Sequence, residues 1–441
     1  VLEAMAVAGL RGRGGAGFPT DIKWRRVRES PGEEKVLIMN GDEGDPGAFM
    51  DRMLLESYPF RVLEGILIAA FAVGAAQGVL YIRAEYPLAI QRVGRALEIL
   101  RERRLLGPRI LGSDFHFDAR IAPGAGAFVC GEETALIKAV EGDRGSPTLR
   151  PPFPASHGLF GKPTLVNNVE TYAAVPWIFR NGPAAFAAIG TEHSKGTKVF
   201  SLTGKVLRGG LIEVPMGTPL RDIVEKIGGG VPGGKRLKAV QIGGPSGGCL
   251  PERELDTPVD FGALVEKGAI MGSGGLVVLD EDDCMVDVSR YFMAFTQSES
   301  CGKCTHCRIG TKRMLELLDA LCAGKASRAD LATLEKLAHS VKTGSLCGLG
   351  RTAPNPVLST LRYFKEEVEA HLEGRCPAKK CKALIAYEIG PGCIGCTLCA
   401  QRCASGAIEA RPYQLHRIVD EKCTRCDGCR QVCPVGAVSV G

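Results

Sequence analysis

The stretch Val36-Leu-Ile-Met-Asn-Gly-Asp-Glu-Gly-Asp-Pro-Gly47 decides how the chain is read. Residues 36–40 form a short apolar run that reads as a strand. The run passes directly into a glycine turn that carries Asp42, Glu43 and Asp45. At the carboxyl end of a strand such a loop suits ligand contact, and a solvated acidic turn is the alternative. A helical segment at 58–75 and a second apolar run at 79–83 follow, and the alternation continues to about Val175. This is an α/β signature.

Upstream lies Gly12-Arg-Gly-Gly-Ala-Gly17. It contains G-x-G-x-x-G, but no strand clearly precedes it and no acid follows at the distance a dinucleotide fingerprint needs. Two readings stay open. One is a tight surface turn; the other is a loop whose backbone N–H groups close on a phosphate, with Arg13 and Lys23 supplying positive charge. Downstream, Gly131-Glu-Glu-Thr134 reads as a helix start, and Asn167 and Asn168 set two amides beside a strand. Those amides either read the edge of a heterocycle or cap a turn.

A chain of 441 residues exceeds one core and implies two to four domains. Apolar residues are 45% and charged residues 24%, the balance of a folded globular protein. The net charge of +6 is spread without blocks of like sign and gives no footprint for nucleic acid. The most apolar stretch, 65–82, is broken by Gln77 and is explained by a helix and a strand, so no membrane insertion is expected.

The α/β domain is assigned to 1–176. Short β-branched or apolar runs at 198–202, 211–214, 239–242 and 275–279, with a helix at 220–227, imply an α+β domain over 197–280. Helical periodicity at 313–321, 331–341 and 356–372 implies a bundle over 287–373. A connector at 374–388 leads to a tail over 389–441 that repeats itself.

Of eighteen cysteines, eleven fall in three closely spaced runs, which signals metal rather than disulfides; thiols that must stay reduced point to the cytoplasm. Cys393, Cys396, Cys399 and Cys403 recur as Cys423, Cys426, Cys429 and Cys433. This spacing wraps a cubane iron–sulfur cluster, and in two-cluster ferredoxins the fourth cysteine of each run serves the other cluster. The expected sets are therefore crossed: Cys393, Cys396, Cys399 with Cys433, and Cys423, Cys426, Cys429 with Cys403. Paired zinc knuckles are the competing arrangement. Cys301, Cys304, Cys307 and Cys347 form a third [4Fe–4S] set, again with zinc as the competitor. In the connector, His371, Cys376 and Cys381 recur at five-residue intervals and suit structural zinc, with one position open; a helix-end histidine and two free thiols are the alternative. Cys130, Cys249, Cys284 and Cys322 stand alone and read as buried, unreactive thiols.

Six strings, in register from residue 1 to about 373, resemble the NADH-binding, FMN-carrying subunit of respiratory complex I. They are Gly-Arg-Gly-Gly-Ala-Gly-Phe-Pro-Thr (12–20), Asn-Gly-Asp-Glu (40–43), Gly-Glu-Glu-Thr-Ala-Leu (131–136), Pro-Pro-Phe-Pro-Ala (151–155), Val-Asn-Asn-Val-Glu-Thr (166–171) and Ser-Cys-Gly-Lys-Cys-Thr-His-Cys-Arg (300–308). The double-cluster tail resembles that of the flavin subunits of soluble electron-bifurcating hydrogenases and related formate dehydrogenases.

The resemblance implies a Rossmann-like FMN domain, a ubiquitin-like β-grasp domain, a helical bundle with a [4Fe–4S] cluster and a ferredoxin-like tail with two more. It implies FMN contacts from Gly12, Arg13, Gly14, Lys23, Asn40, Asp42, Glu43, Phe128, Gly131, Glu132, Glu133, Asn167 and Asn168. NAD(H) is implied near Phe18 and Phe153, with Glu132, the candidate catalytic residue, and Asp45 approaching its nicotinamide and adenosine ends. A carboxylate at Asp45 would repel a 2′-phosphate, so NADH is expected over NADPH. The implied activity is hydride transfer between NAD(H) and FMN with one-electron relay through three clusters, in an electron-bifurcating hydrogenase. A NAD-dependent formate dehydrogenase is the alternative within this class; an electron-relay module without a nucleotide site and a structural zinc protein are the readings from other classes. Implied partners are a thioredoxin-like [2Fe–2S] subunit, a catalytic hydrogenase or formate dehydrogenase subunit, and ferredoxin. Asp21, Arg26 and Phe128 depart from the family's usual glycine, aromatic and tyrosine.

Overall fold

Val36–Gly41 (β1) is an inner strand, and its Val-Leu-Ile-Met run is buried because the sheet is covered on both faces. The computed structural model, which describes residues 1–32 and 34–441, pairs β1 in parallel on both sides. One neighbour is Gln77–Arg83 (β2), itself flanked by Asp118–Gly124 (β3); the other is Thr164–Asn168 (β4). The strand order 3-2-1-4 thus reverses between β1 and β4. Helices Pro59–Val73 and Val169–Asn181 pack on one face through Val62, Ile66, Ala69, Tyr172 and Val175. They approach so closely that a Cβ on Gly65 would lie 2.0 Å from the Tyr172 carbonyl oxygen.

A second, mixed sheet contains Thr197–Gly204 (β5), Gly210–Pro215 (β6), Leu237–Ile242 (β7), Gly248–Pro251 (β8) and Gly275–Asp280 (β9), in the order β6-β5-β9-β7-β8. Only β5 and β9 run parallel. The short strand β8 was not legible, because Gly-Cys-Leu-Pro has too little alternation to read. The helix expected at 220–227 is present and is wound with wide π-type turns over Asp222–Ile227.

Helices Met285–Ser298, Thr305–Cys322, Arg328–Gly344, Asn355–Tyr363 and Lys365–Leu372 surround a core of Met293, Met314, Leu317, Leu334 and Val341. The single helix expected over 356–372 is in fact two, broken at Phe364, whose ψ of 36° leaves the helical region. In the tail, Tyr387–Ile389 (β10) pairs with Val438–Val440 (β13), and Ile408–Glu409 (β11) with Arg417–Ile418 (β12). Thr397 and Asp427, equivalent residues of the two cysteine runs, share a left-handed φ of 64°, so the sequence duplication is repeated in the backbone. No helix among the described residues is long and apolar enough to cross a membrane.

The parallel and mixed sheets are joined by a buried ion pair. Lys198 on β5 reaches Glu170 in the first turn of Val169–Asn181, and the other Glu170 oxygen accepts from the Val199 N–H at 3.0 Å. Lys198 is fully buried, so removing it strands a carboxylate in the interior. Lys198→Met is expected to destabilise the protein by about 3 kcal/mol, read as a lower unfolding temperature, with part of the loss recovered in Lys198→Met/Glu170→Leu.

Candidate functional site

The carboxyl ends of β1 and β4, at the point where strand order reverses, open into a crevice of the kind that binds ligands in parallel sheets. Two cavities of about 450 and 480 Å³ lie there and share the walls Gly14–Ala16, Asn40, Gly131, Glu132 and Asn168. The turn can sit between them because Gly14 and Gly17 carry no side chain where it packs most closely. A Cβ on Gly14 would come 3.0 Å from the Asn168 Cβ, and one on Gly17, whose φ is +63°, would come 2.6 Å from the Phe261 ring. No strand precedes this turn; a helix, Leu2–Ala8, does.

The first cavity brings together Gly12, Gly14, Lys23, Asn40, Gly131, Glu132, Glu133, Asn167 and Asn168 from the expected set, with Phe18 and Phe153 exposed on its rim. Lys23 Nζ lies 2.7 Å from Glu133 and donates to the Val166 carbonyl at 2.8 Å. Glu132 caps helix Glu133–Val140 by accepting from the Thr134 and Ala135 N–H groups, and pairs with Arg150. Arg150 also holds Glu133 at 2.9 Å and lines the cavity; a lone arginine before two prolines carried no sequence signal. Arg26 lies beside Phe18, its guanidinium carbon 5.7 Å from the ring centre.

Arg13 is placed differently from expectation. Its guanidinium is buried and donates to the Arg11 and Lys195 carbonyls, so it braces the glycine turn and does not face the cavity. Burial pulls its pKa down to about 10. Glu43 lines the second cavity, and its carboxylate accepts from the Asp51 and Arg52 N–H groups and the Tyr86 hydroxyl, so it also caps a helix N-terminus. Asp45 lines the second cavity and accepts from the Ser273 hydroxyl. Phe128 lines the same cavity, edge-on to Phe295 at 5.3 Å, and its N–H donates to Glu299 beside the Cys301 loop.

Among the described residues, two side chains by this crevice bury acceptor oxygens with neither a hydrogen-bond nor an ion-pair partner. The Asn167 side-chain oxygen is one, and both carboxylate oxygens of Asp42 are the other. Burial pushes the Asp42 carboxyl up to about 7, opposed by Arg83 and assisted by Glu85, Glu299 and Asp45.

The thiols fall into two geometries. Cys301, Cys304, Cys307 and Cys347 share one hydrophobic cluster with Phe128, Val129 and Leu349, beneath the second cavity. The Cys307 thiol is pushed up to about 11 by burial, with Cys304, Cys347 and Cys301 adding repulsion. In the tail, Cys423, Cys426, Cys429 and Cys403 line one small cavity, so the crossed set comes together in space. The other geometry is tighter. Donor atoms of Cys284, His371, Cys376 and Cys381 all lie within 4.8 Å of one another, and this is the one such group among the described residues. All four residues are buried, and His371 Nδ1 donates to the Glu367 carbonyl at 2.7 Å, leaving the Nε2 lone pair facing the thiols. Cys284, expected to be an isolated inert thiol, is therefore the fourth member; it arrives from the N-cap of Met285–Ser298, a contact no spacing rule reveals. Cys322, also expected to stand alone, lies against Cys381.

Residues 5–177 match the Nuo51 FMN-binding domain, 199–250 the SLBB domain, 287–371 the NADH-ubiquinone oxidoreductase-F iron-sulfur binding region and 389–440 the 4Fe-4S dicluster domain. The NADP-reducing hydrogenase subunit HndC of Solidesulfovibrio fructosivorans is 53% identical, over 94% of this chain and 85% of its own length. An F-type subunit of NADH-quinone oxidoreductase in Rhizobium meliloti is 44% identical, over 86% of this chain and 90% of its own. The crystal structure of an NAD+-reducing [NiFe]-hydrogenase in the H2-reduced state superposes with a TM-score of 0.77 at 41% identity. That match covers 84% of this chain and spans 62% of the hydrogenase chain.

The unpartnered Asp42 carboxyl has a consequence for pH. Its folded pKa of about 7 lies above the usual 3.8, so the folded state binds the extra proton and stability falls as pH rises between those values. Asp42→Asn is expected to be more stable than the parent at pH 8, by up to about 4 kcal/mol, with the gain vanishing below about pH 4. Thermal unfolding of flavin-free protein across pH checks this.

Proposed function

We propose a function on the ground that this chain belongs to the family of Nuo51-type flavoprotein subunits, shared with the F-type subunits of NADH-quinone oxidoreductase and with hydrogenase subunit HndC: it is the flavin subunit of a hydrogenase, passing electrons between a nicotinamide nucleotide, FMN and iron–sulfur clusters. The observation that carries this reading is the shared wall. The crevice at the strand reversal and the Cys301 set meet at Phe128 and Leu349, so a group bound in one is adjacent to a cluster in the other.

The residues present fit FMN. The glycine turn leaves main-chain N–H groups free to face a phosphate, Lys23 supplies charge, and the unpartnered Asn167 oxygen is an acceptor suited to a ring N–H. Bound FMN supplies the conversion between hydride transfer and single-electron transfer. Phe18 and Phe153 offer exposed aromatic faces to the nicotinamide. Glu132, held by two backbone N–H groups and Arg150, orients the substrate and does not move a proton. Asp45 favours NADH; Arg26 on the rim, with the NADP-reducing role in the name of HndC, is the observation behind a second reading, NADPH.

The Cys301, Cys393 and Cys423 sets are read as three [4Fe–4S] sites. Sulfurs around one tetrahedral zinc, with bonds of about 2.3 Å, lie roughly 3.8 Å apart. The Cys284–His371–Cys376–Cys381 group has that tightness and the cubane sets do not. Zinc in the former would pin the connector to the start of Met285–Ser298. The domain limits 1–176, 197–280, 287–373, 374–388 and 389–441 follow the same reading, with a Rossmann-like first sheet and a β-grasp second sheet. The proposed partners are a thioredoxin-like [2Fe–2S] subunit, a catalytic hydrogenase subunit and ferredoxin, with electron bifurcation in the cytoplasm.

Reconstituted protein is expected to hold FMN that NADH bleaches faster than NADPH, and Lys23→Ala to lose most of its flavin while keeping its iron. Equal flavin occupancy by absorbance would count against the phosphate role. Elemental analysis is expected to give about one zinc per chain, from one four-donor group. Cys284→Ser should lose that zinc with iron unchanged.

A further inference from the structure

The two cysteine runs of the tail have the same spacing, but their surroundings differ. Cys399 Sγ lies 3.2 Å from His416 Nδ1, and both residues are buried, at 6% and 2% exposure. Among the described residues the equivalent thiol, Cys429, has no side-chain hydrogen-bond partner, and the nearest counterpart on its cluster set is the longer contact of Ser405 Oγ to Cys403 Sγ at 3.5 Å. Tyr387 lines the cavity of Cys423, Cys426 and Cys429 but spends its hydroxyl on Asp427 at 2.9 Å. His416 immediately precedes β12, which is paired with β11, so its position is fixed by the sheet. Its Nε2 is buried without a partner, which leaves the Cys399 sulfur as the ring's sole hydrogen-bond partner among the described residues.

Chemistry then fixes the direction of the bond. A cysteinate bound to iron can only accept, so Nδ1 carries the hydrogen and donates. An N–H···S bond draws charge from the sulfur and stabilises the reduced form of the cluster more than the oxidised form, which raises its reduction potential.

We propose that His416 makes the two tail clusters electronically unequal: its bond to Cys399 holds the cluster of Cys393, Cys396, Cys399 and Cys433 at the higher potential, so that an electron entering the tail rests there. The step is a one-electron transfer in which this cluster is reduced as its donor cluster is oxidised, with no bond broken. His416 is a positioning residue, and the inference rests on the cubane reading of the tail given above.

The test is an EPR-monitored redox titration of the full chain as the parent, as His416→Phe and as His416→Asn, whose amide N–H can stand where Nδ1 stands. In the Phe variant one tail signal is expected to move to lower potential while the other stays, and in the Asn variant the parent value should largely return. Full iron with unmoved midpoints, or equal movement of both, overturns the proposal. Should the Phe variant lose iron, the parent protein labelled with 15N-histidine decides: the reduced tail cluster should show hyperfine coupling to one histidine nitrogen, and its absence overturns the proposal. Parent protein that binds zinc in place of iron in the tail would instead overturn the cubane reading itself.

Discussion

The closeness of the Gly12–Gly17 turn to the end of β4 is the constraint on which the rest of the structure depends. Backbone can lie against Asn168, and Gly17 against Phe261, only where no Cβ intervenes. This contact creates both cavities at once, one on each side of the turn. It also sets Phe261, at the start of a short helix, and Ser273, in the turn before β9, against the parallel-sheet side, so the crevice is completed by residues far apart in sequence.

Buried charge supports the same junction. Glu43, Asp51 and Glu170 crowd together below the crevice, and burial together with mutual repulsion raises the Asp51 carboxyl well above the ordinary range. Lys198 and the Asn168 amide, which donates to Asp51 at 2.6 Å, offset part of that cost. Asn168 therefore joins two tasks: it lines the cavities and ties them to a network that is expensive to rearrange.

The thiols show how packing separates chemistries that share one residue type. A group of four donors pressed into the core between Met293, Leu318 and Val368 suits a single ion. Loops that open at helix N-termini, as at Cys304 and Cys347, hold their sulfurs farther apart and leave room for a cubane.

The sequence by itself determined much of this. Alternating strands, helices and glycine turns specified an α/β first domain, helical periodicity the bundle, and a thirty-residue repeat of four cysteines the doubled tail, because these signals are local and set by backbone geometry. Asn40 at the end of one strand and the Asn167–Asn168 pair beside another were legible for the same reason, and the resemblance alone put the three together. What only the tertiary structure decided was direction and company. Arg13 stands in the right string yet points inward to carbonyls that need a donor, and Glu43 stands at the cavity wall with its carboxylate already spent on helix N–H groups. Cys284 joins His371 across 87 residues, and His416 reaches Cys399 through a β-pair of two residues. Spacing along a chain records which side chains are near in sequence; which of them share a dry interior is fixed by packing.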